Sequence, residues 1–386
     1  MNHRTLIHSA RLVTDGRVRE RGWVLFDGDT IAAVGDGDYP ESIADAATAR
    51  VNAAGRWLTP GFVDIHCHGG GGASFDGGPE AISTALRVHR AHGTTRTVLS
   101  LVTAELSDLQ QQLAGIVVAT VADPLILGAH LEGPFLDAGH KGAHDATLLR
   151  LPTPAAVELL LEAAGGRLCQ VTIAPERAGG MAAIEQFAAS GVAVAVGHTA
   201  ADYETARAAF DAGASILTHA FNAMEGIHHR APGPVVAATA AGGVTLEVIN
   251  DGVHVHPQVV RLVFAAAPDR VALVTDAMAA AGASDGEYLL GGLSVTVAEG
   301  VARLTHGTSI AGSTLTQDTA LQLAVRTAGV NIETAVDALT RAPAHAIGRS
   351  ADLGRLAPGY AADAVLLGEA LTVDTVWAAG NRIVAA

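Results

Sequence analysis

The stretch Leu58–Gly72, LTPGFVDIHCHGGGG, reads as a short apolar strand over Phe62–Ile65. It runs into His66-Cys67-His68 and then a flexible glycine loop. In a strand, residues two apart point to the same face. Both imidazoles therefore project one way from the strand's end, and two neutral imidazoles so placed can share a divalent cation. A polar strand end with two solvated histidines fits these residues equally well, so the rest of the chain has to separate the two readings.

Working outward from this strand, apolar runs of strand length recur at 62–66, 95–102, 125–131, 168–173, 192–197, 215–218, 244–249 and 271–275. Most gaps between them carry helical patterns, such as GPEAISTALRVHRAHG, TPAAVELLLEAAGG, GMAAIEQFAASG and DYETARAAFDAG. Strands alternating with helices in this way predict an α/β fold, a (β/α)8 TIM barrel. After the eighth strand, residues 286–307 read as a hairpin insertion, followed by helices near 314–327 and 332–341. The first 55 residues and the last 30 read as short strands, with Asp-Gly turn signals in the N-terminal set. The expected organisation is a small β-sandwich domain from residues 1–56 and 348–386, and a catalytic barrel over 57–347.

The 386-residue chain is 49% hydrophobic and 16% charged, which marks a globular protein with a large core. Its formal net charge of −15 disfavours nucleic acid and anionic membranes as partners. It permits an anionic small substrate only if the site supplies local cations. Two cysteines, Cys67 and Cys169, make a disulfide framework implausible. No secretory leader and no apolar run of about 18 residues is present, so the expected location is the cytoplasm.

In a TIM barrel the active site forms at the C-terminal ends of the strands. Those ends give His66 and His68, then Glu132, His198, His219 and Asp276. A single strand-end histidine is more often solvated than a ligand, but six such residues on one rim favour a metal. Imidazole with carboxylate suits zinc, iron or manganese. His89 and His92, on a helical pattern, read as surface residues. His130 shares the inward face with Glu132 and reads as barrel filling, and Cys67 reads as packing. Glu176 is structural or supports the site. Asp251 and His254 end the seventh strand at the same mouth. His228, His229 and Arg230 form the one basic cluster expected near it, an exposed loop or an anion site.

The segments PGFVDIHCHGGGG, HLEGPF, KGAHD, GHT, THAFNAM, DGVHV, LVTDAMAAAG and GTSIAGSTLTQD resemble, in order, those of the amidohydrolase superfamily, and within it the N-acetylglucosamine-6-phosphate deacetylase family. The resemblance covers nearly the whole chain. It implies metal-dependent hydrolysis of a phosphorylated amino sugar to glucosamine 6-phosphate and acetate, with one or two divalent ions per subunit. Zinc is the expected ion, with iron, manganese or cobalt as alternatives. It implies Glu132, His198 and His219 as ligands of the main ion. His66 and His68 would add a second, with Glu132 bridging. Asp276 is implied as general base and then acid, and His144 as a hydrogen-bond donor to the acetyl carbonyl. His254, Arg230, Asn222 and the Ala223 N–H are implied as phosphate contacts, with Arg230 serving its own site or a neighbour's in a homodimer. The galactosamine epimer is the nearest alternative substrate. A hydantoinase-like carbamylated lysine is excluded, because Lys141 is the only lysine and lies in a loop after Glu132.

Overall fold

A computed structural model describes residues 4–383. Its centre is an eight-stranded parallel sheet whose strands pair in sequence order. They are β1 (Phe62–Cys67), β2 (Thr94–Val102), β3 (Ile126–Glu132), β4 (Leu168–Ile173), β5 (Ala193–Val196), β6 (Ala214–Leu217), β7 (Thr245–Ile249) and β8 (Val271–Val274). Hydrogen bonds from β8's end to β1 draw the sheet round: Asp276 N donates to His66 O at 2.8 Å, and Thr275 Oγ1 to Asp64 Oδ2 at 2.6 Å. The strands are nearly continuous apolar runs because helices cover their outer faces. Leu99, Leu131, Val171, Val194, Ile216, Leu246 and Leu273 are fully buried. Each such side chain contributes roughly 1.5–3 kcal/mol of burial free energy.

Most helices form where apolar residues recur every three to four positions, and side chains cap several of their starts. Thr153, Asp202 and Asn331 accept hydrogen bonds from backbone N–H groups of the first turns of Pro154–Ala164, Tyr203–Asp211 and Ile332–Leu339. Helix Gly233–Ala240, GPVVAATA, fills the gap after β6. It has no polar stripe to give it a period, which is why sequence pattern does not reveal it.

The strands from the two ends form one separate sheet. Its order runs Asn381–Ile383, Val373–Ala378, Ala364–Leu367, Trp57–Pro60, Arg4–Thr14, Arg17–Asp27, Thr30–Asp36, with Ala49–Asn52 beside Arg4–Thr14. The sheet curls back on itself: Phe26 and Trp377, several strands apart, meet edge to face with centroids 6.5 Å apart. Trp57–Pro60 pairs antiparallel with Ala364–Leu367 within this sheet. A buried bidentate pair ties it to the barrel, Arg96 on β2 reaching Asp363 at 2.6 and 3.2 Å.

The insertion after β8 is a three-stranded antiparallel sheet, β9 (Gly286–Leu290), β10 (Leu293–Ala298) and β11 (Val301–Leu304). Its small core joins Met278, Ala279 and Ala280, just after Asp276, to Val295, Val297 and Ala302. The insertion is thereby packed against the segment that carries Asp276. Among the described residues no helix is long and apolar enough to cross a membrane.

Candidate metal centre and active site

The rim of the barrel gathers imidazoles and carboxylates in a buried cluster. His66, His68, Glu132, His198, His219 and Asp276 are each at most 8% exposed. His66 Nε2 lies 3.2 Å from His68 Nε2, and each lies 3.2–3.4 Å from a Glu132 oxygen and from Asp276 Oδ1. On the other side of Glu132, its Oε1 lies 3.0 Å from the Nε2 of both His198 and His219, themselves 3.0 Å apart. Glu132 therefore stands between two pairs of imidazoles.

Strand ends supply this convergence through unusual backbone. His198 (φ 48°), His219 (φ 24°) and Asp276 (φ 48°) all take left-handed conformations just past their strands. Each such residue stores strain of order ~1–3 kcal/mol. The turn after each strand redirects its side chain into the mouth. The glycines after His68 do not form a free loop, contrary to the reading from sequence. Gly69, Gly71 and Gly72 donate to the carbonyls of Ala277, Ala281 and Ala279 at 2.7–3.0 Å. A Cβ on Gly69 would stand 2.4 Å from Ala73 O, so only glycine allows that approach.

The donor set fits a divalent cation. His198 Nδ1 lies 2.8 Å from the His140 carbonyl, which only accepts, so Nδ1 carries the proton and Nε2 offers a lone pair. That lone pair faces a Glu132 carboxylate oxygen, also an acceptor, at 3.0 Å. His66 repeats the pattern: Nδ1 donates to Glu247 at 3.0 Å, leaving Nε2 towards Glu132 and Asp276. Acceptors facing acceptors at this range require a proton or a metal between them. Ligands 2.0–2.2 Å from a tetrahedral ion stand roughly 3.3–3.6 Å apart, close to the spacings here.

The electrostatics point the same way. Burial disfavours charged imidazole, but the carboxylates of Glu132, Asp276 and Glu247 outweigh it and hold His66 well above the ordinary value. His68 rises to about 9 against burial, through hydrogen bonds to Asp276 and Glu132. Burial pushes Glu132 and Asp276 up, yet His66 and the neighbouring imidazoles leave both below the ordinary carboxylate range. Positive charge is stabilised at this spot, whether proton or metal. His144 behaves oppositely: burial dominates and lowers it to about 4, so it is a neutral imidazole. The Thr103 N–H donates to its Nδ1 at 3.4 Å, which leaves Nε2–H pointing into the site, 3.4 Å from Glu132 Oε2.

A cavity of about 500 Å³ opens above the cluster. His144, Asn222, Ala223 and His254 line it together with His68, Glu132, His198, His219 and Asp276. His254 is fixed from below, its Nδ1 2.7 Å from Asp251 Oδ2. Arg230 is not brought to this cavity. It is exposed, its backbone N–H donating to His228 Nδ1 at 3.3 Å and its Nη1 2.6 Å from His229 Nε2. The basic side chain that does line the cavity is Arg303 on β11, the only Arg or Lys among the lining residues. The sequence reading overlooked it because a hairpin arginine has no periodicity or motif to place it over a barrel mouth.

Several other readings are sharpened or corrected. His89 is buried at 1% exposure, not on the surface. Ile82, Ala85, Leu86 and His89 share the inner face of helix Pro79–Ala91, and His89 Nε2 meets Gly69 O at 2.8 Å. Its spacing from Ile82 was the missed signal. His92 is part-exposed and pairs with Asp318 at 3.0 Å. His130 fills the barrel, bonded to Ser100 and Thr172 at 2.9 Å each. Cys67 is fully buried. Glu176 accepts from Thr199 Oγ1 and Ala200 N, bracing the turn after His198. Glu247 was missed altogether, although a lone Glu in the buried run TLEVI is itself a signal.

The fold and the rim together define the class of barrel hydrolases built around divalent-metal ligands. The chain belongs to the amidohydrolase family, whose model matches residues 57–383. It is 36% identical over 387 residues to the N-acetylgalactosamine-6-phosphate deacetylase of Escherichia coli O157:H7, spanning 97% of this chain and 98% of that one. It is 34% identical over 330 residues to the N-acetylglucosamine-6-phosphate deacetylase of Vibrio furnissii, spanning 84% and 82%. The solved structure of a mutant of N-acetyl-D-glucosamine-6-phosphate deacetylase from Mycobacterium smegmatis, in complex with N-acetyl-D-glucosamine-6-phosphate, matches with a TM-score of 0.93 and 42% identity. That match covers 98% of this chain and 99% of that one.

Proposed function

We propose that this chain hydrolyses the acetamide of N-acetyl-D-glucosamine 6-phosphate to D-glucosamine 6-phosphate and acetate. The observation that carries the reading is the rim cluster beneath a cavity of sugar-phosphate size, in a chain 42% identical to a deacetylase that holds this compound. The glucosamine substrate is favoured over its C4 epimer because the relative of higher identity acts on it.

Glu132, His198 and His219 would hold the main ion, and His66 and His68 a second, Glu132 being shared. A bound divalent cation, zinc in this reading, lowers the pKa of water towards ~7 and polarises the acetyl carbonyl. Asp276, ionised and buried beside the cluster, takes a proton from the attacking water. His144 Nε2–H donates to the carbonyl oxygen as negative charge develops there. Asp276 then returns its proton to the amine nitrogen as the C–N bond breaks. Asn222, the Ala223 N–H and His254 bind the phosphate, and Arg303 supplies a cation from the hairpin.

Ile227, three residues before the exposed Arg230, is itself a large apolar side chain left exposed, as is Val253 in the loop after β7. This supports a homodimer in which Arg230 completes the neighbour's phosphate site. The substrate class of a soluble sugar phosphate fits a cytoplasmic enzyme. Residues 57–347 are read as the catalytic domain, joined through strand Trp57–Pro60 to the β unit assigned to residues 1–56 and 348–386.

The test is acetate release from a panel of N-acetylhexosamine 6-phosphates and their unphosphorylated forms. The glucosamine 6-phosphate derivative is expected to give the highest kcat/KM. Preference for the galactosamine epimer, or indifference to the phosphate, would refute the assignment.

A further inference from the structure

One buried carboxylate has no part in the mechanism above. Glu247 sits in the middle of β7, fully enclosed between Leu246 and Val248 in the buried run Thr245–Ile249. It lies beneath the rim cluster, not in the cavity. Among the described residues no arginine or lysine pairs with it; its ion-pair partner is His66. Burying a carboxylate is unfavourable unless donors surround it. Here three donors converge. Oε2 lies 3.0 Å from His66 Nδ1 and 3.3 Å from the His219 N–H, and Oε1 accepts from Gln170 Nε2 at 2.7 Å. Two of these donors belong to rim residues on opposite sides of Glu132.

We infer that Glu247 is the positioning residue that fixes the tautomer and orientation of His66, and that it thereby sets the affinity of the ion held through His66 and His68. The inference rests on the metal reading of the rim. Both oxygens of Glu247 already accept, from the His219 N–H and from Gln170, so the imidazole facing them places its proton on Nδ1. Its Nε2 lone pair is then directed at the space shared with His68, Glu132 and Asp276. The negative charge behind the ring also makes that lone pair a better donor to a cation. Gln170 on β4 holds the second carboxylate oxygen, so the orientation of His66 is anchored across the barrel from β1 to β7 and β4. The His219 N–H contact extends the same anchor to the turn that carries the other imidazole pair.

Glu247→Gln tests this, because it keeps the volume and removes the charge. An amide has one oxygen for the former two, so its NH₂ must face either His66 or Gln170. Facing His66, it drives the imidazole proton to Nε2, where it blocks a ligand. Facing Gln170, it leaves the ring in place but without its anionic partner. Loss of such a partner lowers metal affinity by about 10–100-fold. Zinc is titrated into the metal-free protein against a chromophoric chelator, and bound zinc is counted by elemental analysis. The expected result is normal secondary structure by circular dichroism, with the binding phase that is lost in His66→Ala weakened about 10–100-fold. Glu247→Asp, which keeps the charge, should recover part of the loss. If Glu247→Gln does not fold, Gln170→Leu, which frees the carboxylate but leaves its charge, should weaken the same phase by a smaller factor. Wild-type affinity and stoichiometry in a folded Glu247→Gln protein, or in Gln170→Leu where that variant is the one tested, would overturn the proposal. A wild-type protein that binds no divalent ion would overturn both this inference and the metal reading beneath it.

Discussion

Asp276→Asn isolates the proton transfer from everything else at the rim. The backbone of Asp276 is pinned on both sides, its N–H donating to His66 O and its carbonyl accepting from Ser313 N, each at 2.8 Å. Its φ of 48° lies in the left-handed region, which asparagine tolerates as readily as aspartate. The substitution is therefore nearly isosteric, and the fold should persist. What disappears is a base 3.2 Å from His68 Nε2 at the edge of the cavity. General acid–base catalysis contributes roughly 10²–10⁴-fold, or about 2.7–5.5 kcal/mol of barrier. Since Asp276 serves both proton transfers in this account, the loss should fall towards the upper end. The assay pairs kcat from continuous acetate detection with the Kd of N-acetylglucosamine 6-phosphate by calorimetry. Zinc content is measured on the same sample, because Asp276 also stabilises positive charge at His66 and His68. The expected result is kcat reduced at least about 10²-fold with Kd within a few-fold of wild type. A fully metallated variant with near wild-type kcat would refute the proton-shuttle assignment.

His198→Ala combined with His219→Ala removes two of the three donors around Glu132 Oε1 and should abolish stoichiometric binding at the main site. Elemental analysis showing a full complement of metal in that variant would place the site elsewhere. Arg230→Ala should lower kcat/KM on the phosphorylated sugar by roughly 10- to 150-fold, the value of a charged hydrogen bond, with little effect on unphosphorylated N-acetylglucosamine. Mixing Arg230→Ala with Asp276→Asn chains should restore activity if Arg230 acts across a dimer, and absence of rescue would contradict that arrangement. Arg303→Ala, at an exposed cation, should cost no more than about 5-fold on the phosphorylated sugar, and equal losses on both sugars would remove Arg303 from phosphate recognition. Arg96→Met leaves the buried Asp363 carboxylate without its cation and should destabilise the protein by about 3–5 kcal/mol in urea unfolding. Adding Asp363→Leu should recover much of that loss, and a single variant of wild-type stability would contradict a structural role for the pair.

Much of this architecture was legible because parallel strands buried on both faces read as apolar runs. The eight runs and the amphipathic segments between them locate the barrel, and strand ends then locate the rim. Helix Gly233–Ala240 escaped because its apolar residues leave no polar stripe. His89 escaped because a histidine was weighed by its polarity rather than by its spacing from Ile82 and Leu86. Glu247 and Arg303 escaped for different reasons. Glu247 lies inside a strand rather than at its end, where rim residues are sought. Arg303 comes from a hairpin whose packing over the mouth depends on contacts with the segment after Asp276, which no local pattern encodes. Arg230 shows the converse: proximity in sequence to β6 suggested the mouth, but the loop carries it outward.

The central claim is that this barrel hydrolyses an amide through metal held by its rim. The most direct measurement is acetate release from N-acetylglucosamine 6-phosphate by protein stripped with a chelator and then titrated with zinc. Activity should vanish on stripping and return in proportion to bound zinc, reaching its plateau at one or two ions per chain. Full activity in metal-free protein, or zinc bound to the rim without any return of acetate release, would contradict the account.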